Sequence, residues 1–445
     1  MNFEQIKEVL FAEAKKAGLA EYDVYFRMTS DLSAEALNRE PSSFSSGTSG
    51  GVSFRCAVDG RIGSASTQSL TDEDLAALVP RAVANAAVID ADEEPIFFEG
   101  SPTYQGVSVC VPELPDAATL RRAALDLQEQ LFALSDMATD ATSSGAGAAV
   151  ITLSMANSKG LSLSHRAGKQ YTYAEAVVND GKESSSGVAI DAGLDVGASE
   201  IAKKATDEAI GRLGAGGVKT GRYDVIFSAR EVRSLLGAFM GIFSGKNALL
   251  GLSLLAGKEG EQIAAECLTL IDDPFYEKNT MQMPFDAEGV ATYEKKLIDK
   301  GVLQTLLYDL TNAKKAGKST TGNAARASIA DPVSIAPYCL RILEGEFSPA
   351  ALRERLGNGI YITEMKGLHA GADAVTGDFS IESAGFLVEN GKLTRPVHSF
   401  TVAGNFFELL KSIDGVANEV EMGIPSATVT AAPDLLARGL SVAGE

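Results

Sequence analysis

Residues 51–66 read GVSFRCAVDGRIGSAS, and this stretch predicts a β-hairpin. Its first half places an apolar side chain at every second position: Val52, Phe54, Cys56 and Val58. A period of two is typical of a strand with one buried face. Asp59-Gly60 supplies the turn, because both central residues of a two-residue hairpin loop need a positive φ, which this pair tolerates. Residues 62–66 form the returning strand, so the stretch favours antiparallel pairing.

Alternating segments separated by turn residues recur along the rest of the chain. In the first half they are Tyr22–Met28, residues around Ala34–Leu37, and a meander from Ala148 to Ile190 with turns at Ala156–Gly160 and Asn179–Gly181. In the second half they are Tyr223–Phe227 and two hairpins with turns at Lys300-Gly301 and Asn390-Gly391. These patterns predict many antiparallel strands joined by tight turns.

Helical periodicity marks a smaller number of segments. They are Phe3 to near Gly18, Thr71 to Ala86, Asp116 to about Met137, Ala198 to about Leu213, and Ala229 to about Ile242. Thr71 with Asp74 indicates a capping box, and Pro80 should kink or divide the helix that follows. Ser228 is placed to cap the last helix. A few helices among many antiparallel strands indicate an α+β fold.

The composition limits the classes of function. The 445 residues include 59 acidic and 39 basic side chains, which gives a net charge of −20. Such a surface repels nucleic-acid phosphates and anionic membranes, so we expect neither as a partner. No positively charged n-region opens the chain, and no apolar run approaches the roughly 20 residues that span a bilayer, so the cytoplasm is the expected location. The four cysteines are expected to be reduced core residues.

Three histidines, His165, His369 and His398, lie on separate segments, and no His-Glu-x-x-His motif occurs. Such a motif places two imidazoles on one helical face, where they share a zinc ion. We expect His165 to be exposed at a strand end and His398 to be a hydrogen-bonded residue of a sheet.

Several segments together resemble the TldD/PmbA family, also called modulator of DNA gyrase, and in particular its PmbA/TldE branch. The resemblance covers nearly the whole chain, and its order and spacing are more specific than any one motif. The segments are the hairpin Gly51–Thr67, Asn157–Gly160, Gly257–Ile263, Leu270–Pro274, Thr376–Ser380, Glu389–Gly391 and Ala403–Asn405. The resemblance implies a TldD/PmbA-like fold with an N-terminal α/β domain, a C-terminal β-rich domain and dimers that enclose a cleft. The glycine-dense segment Gly214–Gly217 is the predicted boundary, between residues 1–215 and 220–445.

One branch of this family carries a zinc ion on a His-Glu-x-x-x-His helix, completed by a cysteine near the C-terminus. Here the corresponding segment Glu231–Met240 has no histidine, and residues 416–445 contain no cysteine. The resemblance therefore implies a chain without metal ligands, catalytic residues or cofactor, with zinc only in a partner subunit. In such pairs a zinc-bearing TldD-like subunit and a zinc-free one act together on unfolded or small peptides.

The most promising polar segment for lining a peptide cleft is Thr376, Gly377, Asp378 and Ser380, with His369 nearby in sequence. Its glycine permits close backbone approach, and an extended peptide is expected to pair with a strand edge beside it. The alternative for this segment is a turn or bulge that feeds the next hairpin. His369 with its neighbouring carboxylates has the types of side chain that bind a metal or act as a base, and the alternative is a polar loop between strands.

Other candidate residues have simpler structural interpretations. Cys267 is expected to be a small buried hydrophobe. Asp272-Asp273 is similar to a metal-binding pair, but Pro274 follows it, which favours a strand that ends in a turn. The glycines and serines of Ser42–Gly51 lack the Gly-Lys-Ser/Thr ending of a phosphate-binding loop.

Three functions remain open from the sequence. The first is the zinc-free member of a peptidase pair, with a zinc-bearing partner or a second copy of the chain. The second is a stand-alone peptidase of another mechanism. The third is a regulatory homodimer that binds peptides or proteins and performs no chemistry.

Overall fold

The computed structural model describes residues 1–89, 95–194 and 198–445. The helices of the first half are α1 (Phe3–Lys16), α2 (Asp72–Ala76), α3 (Leu78–Ala86), α4 (Ala117–Leu134) and α5 (Ala198–Gly211). Its strands are β1 (Tyr22–Leu37), β2 (Glu40–Val58), β3 (Arg61–Thr67), β4 (Ser143–Asn157), β5 (Ser162–Asn179) and β6 (Ser184–Ala192).

The strands of the first half form one antiparallel sheet in the order β3-β2-β1-β4-β5-β6. Each helix turns its apolar stripe toward this sheet, as Ile6, Leu10 and Ala14 of α1 do. Helices α1 to α3 enclose the core beside β1, β2 and β3, and α4 and α5 enclose a second core against β4 to β6.

The hairpin predicted from residues 51–66 is confirmed. Val58 pairs with Arg61 across a turn in which Asp59 and Gly60 have φ angles of 48° and 75°. Both angles are positive, as a two-residue hairpin turn requires. The predicted meander from residue 148 to residue 190 is likewise present as β4, β5 and β6.

Two predicted segments of the first half have different bounds in the structure. The separate segments expected within residues 22–37 are one strand, β1, because its polar middle still pairs with β2 on one side and β4 on the other. Pro80 divides the second helix as predicted, since α2 ends at Ala76 and α3 begins at Leu78. The serine- and glycine-rich residues 42–51 are part of β2.

The second half contains shorter elements. Its helices are α6 (Ala229–Phe239), α7 (Gly245–Leu249), α8 (Leu310–Ala316), α9 (Pro349–Leu356), α10 (Leu368–Gly371) and α11 (Phe406–Ser412), with a 3₁₀ turn at Met240–Phe243. Its strands are β7 (Gly221–Phe227), β8 (Leu270–Asp272), β9 (Lys295–Asp299), β10 (Val302–Leu303), β11 (Ala324–Ala325), β12 (Ser334–Ile335), β13 (Cys339–Ile342), β14 (Gly359–Lys366), β15 (Asp378–Glu389), β16 (Lys392–Asn405), β17 (Ile413–Val416), β18 (Glu421–Met422), β19 (Val429–Ala432) and β20 (Leu435–Ala443).

Five of these strands close into a ring in the order β16-β15-β14-β7-β20. The ring closes because β20 pairs with β7 and also with β16. Closure removes free strand edges from this part of the sheet. Apolar side chains from these strands and from α6 share one large buried cluster that includes Val225, Ile360, Ile381 and Val402.

A second sheet of the C-terminal half has the order β10-β9-β8-β13-β19-β18. Both hairpin turns predicted for this half are confirmed. Lys300 and Gly301 have φ angles of 48° and 82°, and Asn390 and Gly391 have 52° and 76°. The mixed α+β fold with a β-rich second half is therefore the predicted one.

The two halves of the chain share a buried apolar cluster. Tyr25 and Leu153 of the first half pack there with Phe285 and Ile329 of the second. Gly216, in the predicted boundary, donates its N–H to the carbonyl oxygen of Pro396 and accepts from the N–H of His398. The division into residues 1–215 and 220–445 stays a prediction.

The expectation that all four cysteines are core residues is wrong for two of them. Cys56 and Cys339 are buried, whereas Cys110 and Cys267 are exposed. Cys267 lies in a turn at the surface, so its apolar sequence neighbours do not enclose it. Across the described residues, we find no helix with the length and apolar character needed to cross a membrane.

Candidate functional site

Helix α6 follows β7 after one residue, Ser228, which takes the N-cap position with extended backbone. The predicted cap is right in position and wrong in its bonding. The Ser228 hydroxyl makes no hydrogen bond to the helix, and the N–H of Ala229 instead donates to Oδ1 of Asp434 at 2.7 Å. The helix ends at Phe239 and continues into the 3₁₀ turn, which accounts for the longer helix predicted from sequence.

One face of α6 is buried in the core of the second half. Val232, Leu235 and Phe239 are among its buried residues. The ring of Phe239 stacks on that of Phe406 with 4.3 Å between centroids, and it meets the edge of the Phe379 ring. Burial of these side chains stabilises the position of the helix.

The polar residues of α6 do not suit a zinc ion. Zinc in proteins takes imidazole nitrogens, thiolates and carboxylates, and α6 offers the single carboxylate of Glu231 between Arg230 and Arg233. His369 lies on α10, which packs against α6, but its side chain is exposed. In the part of the chain that the structure describes, no group of three or more His, Cys, Asp or Glu residues is arranged to hold a metal ion.

An ion network connects the first half of the chain to the start of α6. Oε1 of Glu208 accepts from Nη2 of Arg212 at 2.7 Å and from Nη2 of Arg230 at 2.8 Å. Nη1 of Arg212 lies 3.1 Å from Oε2 of Glu364 on β14. Glu208 and Arg212 are each only 15% exposed in their side chains, so their charges are poorly screened by solvent.

Glu231 lies within this region and is 4% exposed. Burial raises the pKa of its carboxyl to about 7, although the charge of Arg230 opposes the rise, and Glu364 adds to it. The folded protein therefore binds a proton here that the unfolded chain releases at lower pH. The contribution of this carboxyl to stability consequently falls as pH rises from about 4.5 toward 7.

Replacing this carboxyl with a neutral amide, Glu231→Gln, is expected to remove that loss. The variant should exceed the parent protein in free energy of unfolding by about 1–3 kcal/mol at pH 8 and match it near pH 4.5. Urea unfolding at the two pH values measures the difference. Glu129→Gln, at an exposed position of α4, is the matched control and should change little. An unaltered or lower stability of Glu231→Gln at pH 8 contradicts the prediction.

The segment predicted to line a peptide cleft forms a tight exposed loop. Oδ1 of Asp373 accepts from the N–H of Val375 and of Thr376, and the Thr376 hydroxyl accepts from the N–H of Asp378. Nδ2 of Asn405 donates to the Thr376 carbonyl oxygen and to Oδ1 of Asp378, at 2.9 Å each. The polar groups of the loop thus bond mainly to one another.

Gly377 in this loop is required by its surroundings. It is buried with a φ of 83°, and an added Cβ would lie 2.6 Å from Cδ2 of Phe407. Ser380 is exposed on β15, and His369 is exposed on a short helix rather than in the loop predicted for it. The structure therefore brings Thr376, Gly377 and Asp378 together, and a role in lining a cleft stays a prediction.

The strand edge beside this loop is already occupied. On one side Asp378 and Phe379 pair with β16. On the other side Ala372 bridges Phe379, and the N–H of Asp373 donates to the Asp378 carbonyl oxygen. The expectation that an extended peptide pairs at this edge is wrong, because the chain's own turn covers it.

A polar groove of about 350 Å³ lies elsewhere between the two halves, next to the ion network around Arg212. We call it the interdomain groove. It is lined by hydroxyl, charged and imidazole side chains: Glu183, Ser184, Ser185, Ser186, Arg212, Glu364, Lys366, Glu382, Ser383, His398 and Ser399. Its walls come from β6, the end of α5 and the ring strands β14 to β16.

A bulge forms the floor of the interdomain groove. The β15–β16 register shifts between Ser383 and Gly385, and Ser399 has a φ of 53°, which is uncommon for a residue with a side chain. The Ser399 hydroxyl lies 2.9 Å from Nδ1 of His398. His398 is therefore the hydrogen-bonded strand residue predicted, and it also lines the groove.

The outer edge of β6 is closed by side chains of the preceding network. Oε2 of Glu208 accepts from the N–H of Val188, and Nη1 of Arg212 donates to the carbonyl oxygen of Ser186. Side chains that cover an edge strand in this way block strand addition. The groove therefore offers serine hydroxyls and charged groups as its main contacts for a ligand.

The third histidine differs from its prediction. His165 lies within β5 and is half-buried, and its Nε2 donates to the carbonyl oxygen of Gln282 at 2.7 Å. Burial lowers the pKa of its imidazole. The expectation of an exposed residue at a strand end is wrong, because the contact with Gln282 comes from a segment more than 100 residues away.

Comparison with protein families gives two matches. Residues 220–444 match the family described as PmbA/TldA metallopeptidase C-terminal domain, and residues 22–86 match PmbA/TldA metallopeptidase domain 1. A protein of Escherichia coli O157:H7 named metalloprotease PmbA is 31% identical over 212 residues, which cover 48% of this chain and 44% of that protein. The chain spans about half the length of the first curated relatives it matches.

Solved structures match over the whole chain. A protein of Thermotoga maritima, named as a candidate modulator of a DNA gyrase, shares 30% sequence identity with this chain and superposes on it with a TM-score of 0.89. The match covers 99% of this chain and 100% of that protein's chain. TldE from Thermococcus kodakarensis has the same TM-score and the same coverage at 23% identity, which establishes likeness of fold.

Proposed function

The chain belongs to the TldD/PmbA family, and from that premise we propose that it is a zinc-free PmbA/TldE-like subunit of a peptidase. In this proposal it holds small or unfolded peptides and walls part of the substrate cleft. A zinc-bearing TldD-like partner performs the hydrolysis with a metal-activated water.

The main observation that supports this proposal is the amino-acid composition of α6. The helix lies between β7 and the strand that contains Asp272, the place in the chain order where the zinc-bearing branch has its His-Glu-x-x-x-His helix. Here that helix presents two arginines and one buried glutamate on its polar side and an apolar face to the core. Such a helix packs into the core but supplies no set of zinc ligands.

The interdomain groove supports a role in peptide binding. Its volume of about 350 Å³ suits a short segment of peptide rather than a folded protein. Arg212 and Lys366 are both paired with Glu364, Glu382 adds a further negative charge, and serine hydroxyls can both donate and accept. A surface of this kind bonds to peptide main-chain groups without requiring one sequence.

An exposed apolar segment supports the proposal that this chain pairs with a second subunit. Residues 249–254, which we call the leucine loop, begin at the last residue of α7. Within six positions four leucines are exposed: Leu249 by 45%, Leu250 by 62%, Leu252 by 45% and Leu254 by 49%. Several large apolar side chains exposed close together in the chain are typical of an interaction surface. We propose that a second subunit of the same fold covers it.

The test compares the purified chain with a mixture that contains a zinc-bearing homologue. We expect no stoichiometric zinc by elemental analysis and no cleavage of an unstructured peptide by the chain alone. Cleavage should rise when the homologue is added, beyond that of the homologue alone, and a chelator should abolish it. Zinc that copurifies with the chain and cleavage without a partner contradict the proposal.

Two other outcomes identify the alternative functions. Cleavage by the chain alone that survives chelation indicates a stand-alone peptidase of another mechanism. Peptide binding by a homodimer, with no gain in cleavage in the presence of the homologue, indicates a regulatory protein without chemistry.

A further inference from the structure

A second cavity, of about 470 Å³, lies between the first sheet and a loop of the second half. We call it the arginine cavity. Its walls are β2, β3, α3 and residues 326–333. The polar side chains that line it are Ser53, Arg55, Ser64, Ser66, Arg81, Asn85, Arg326 and Asp331.

Arg326 is the most unusual of these residues. It is 8% exposed, and Nη1 donates to the hydroxyl of Ser53 at 2.9 Å. Its Nε and Nη2 are buried and find no hydrogen-bond acceptor within the described segments of the chain. The guanidinium lies 4.7 Å from the ring centroid of Tyr25. Buried charged donors without acceptors are costly, so their presence calls for a functional explanation.

Other charges do not fully compensate Arg326. The carboxylate of Asp23 is engaged by Nε and Nη2 of Arg55. Burial, and then the like charge of Arg55, lower the pKa of Arg326 to about 10. Burial and the neighbouring Asp286 raise the pKa of the Glu288 carboxyl, which weakens it as a counter-charge. The Arg326 guanidinium therefore lies in an environment that favours an added negative charge, whereas the charge of Arg55 is already compensated by Asp23.

The charge of the cavity wall is opposite to that of the protein. Three arginines and one carboxylate, Asp331, line the cavity, and one of the three, Arg55, is paired with Asp23 behind the wall, whereas the whole chain carries 59 acidic and 39 basic residues. Guanidinium groups bind carboxylates and phosphates through paired N–H donors, and the nearby serines add hydroxyl donors. Apolar contacts are present as well, from Ile329 and Val333.

The loop that carries Arg326 is held in place by independent contacts. Nη1 of Arg27 donates to the carbonyl oxygens of Arg326 and Ala327, at 3.2 and 2.8 Å. Ile329 packs into the apolar cluster shared by the two halves. A wall fixed in this way loses little conformational entropy when a ligand binds.

We propose that the arginine cavity binds a small molecule through an oxyanion, a phosphate or a carboxylate group, seated among Arg55, Arg81 and Arg326. The volume exceeds that of one such group, so the remainder of the ligand contacts the serines and the apolar wall. The site is separate from the interdomain groove, and the inference does not depend on the proposed peptidase role.

Titration calorimetry of the full chain tests this site with three probes at constant ionic strength. They are inorganic phosphate, acetyl-dialanine with a free C-terminus, and the same peptide as its amide. We expect at least one anionic probe to bind, and the amide to bind more weakly than the acid. Binding of phosphate but not of the acid assigns a phosphate ligand, and binding of the acid but not of phosphate assigns a carboxylate ligand.

The key variant is Arg81→Gln, because Arg81 is exposed on α3 at the cavity and its loss should not disturb folding. It is expected to weaken anion binding about tenfold. Arg122→Gln on α4, also an exposed helical arginine, is the matched control and should bind as the parent does. Arg326→Gln, with folding checked by circular dichroism, should weaken binding at least as much. The absence of binding by all anionic probes, or equal binding by the Arg81 and Arg122 variants, overturns the proposal.

Discussion

Replacing Asp272 by Asn is expected to destabilise the protein by about 3–5 kcal/mol. Asp272 ends β8 and has no exposed surface. Its Oδ2 accepts from Nζ of Lys295 at 3.1 Å and from Nδ2 of Asn323 at 2.7 Å. Its Oδ1 accepts from the backbone N–H of Tyr338 and of Cys339. One carboxylate thus joins four segments of the second half.

An amide at position 272 cannot satisfy the same partners. With its oxygen toward the backbone donors, its NH₂ group faces Lys295 and Asn323, which are both donors. The ammonium group of Lys295, a residue that is 6% exposed, then loses its counter-charge in the core. Removing one member of a buried ion pair is costly for this reason.

Chemical unfolding of the parent and variant proteins measures the effect. Asp207→Asn is the matched control, because Asp207 also pairs with a lysine, Lys203, but both side chains are more than 60% exposed. That variant should lose less than about 1 kcal/mol. Adding Lys295→Met to Asp272→Asn should recover part of the loss by removing the unpaired charge. A loss below about 1 kcal/mol for Asp272→Asn would falsify the structural role assigned to this carboxylate.

The same residue shows what the sequence does and does not reveal. Asp272-Asp273 followed by Pro274 was sufficient to predict a strand that ends in a turn, and β8 does end there. The partners of Asp272 come from positions 295, 323 and 338, and no local pattern connects those positions. Strand ends depend on neighbouring residues, whereas charge compensation in a core depends on tertiary contacts.

Turns and helix caps show the same difference between features set by local sequence and features set by tertiary contacts. Asp59-Gly60 and Asn390-Gly391 were predictable because positive φ angles restrict the residues allowed at those positions. The cap of α6 was not predictable, because Ser228 satisfies the local preference while Asp434, more than 200 residues away, makes the bond. Cys267 is exposed for a similar reason, since the packing around a turn is decided by distant elements.

The candidate sites depend almost wholly on such distant contacts. The interdomain groove joins serines of β6 to a bulge near His398, and the arginine cavity joins Ser53 to Arg326. The sequence predicted a cleft near Thr376 to Ser380 from residue types alone. The structure shows that side chains of that type are also used to hold a tight turn.

Introducing two aspartates into the leucine loop, Leu250→Asp with Leu252→Asp, is expected to weaken subunit association by about a hundredfold or more. A partner that covers this loop would have to bury two carboxylates against apolar surface without compensating hydrogen bonds. The stability of the isolated chain should change little, because Leu250 is 62% and Leu252 is 45% exposed in it. Association and folding are therefore separable at these positions.

Sedimentation of the chain alone and in a mixture with a zinc-bearing homologue distinguishes self-association from pairing with the homologue. The double variant should lose whichever association the parent shows, together with any gain in peptide cleavage that depends on it. Leu134→Asp is the matched control, since Leu134 is also 45% exposed but lies at the end of α4, far along the chain from the leucine loop. Equal dissociation constants for the parent and the double variant would show that another surface forms the interface. Equal weakening by Leu134→Asp would show that added negative charge alone, on a chain that already carries a net charge of −20, opposes association.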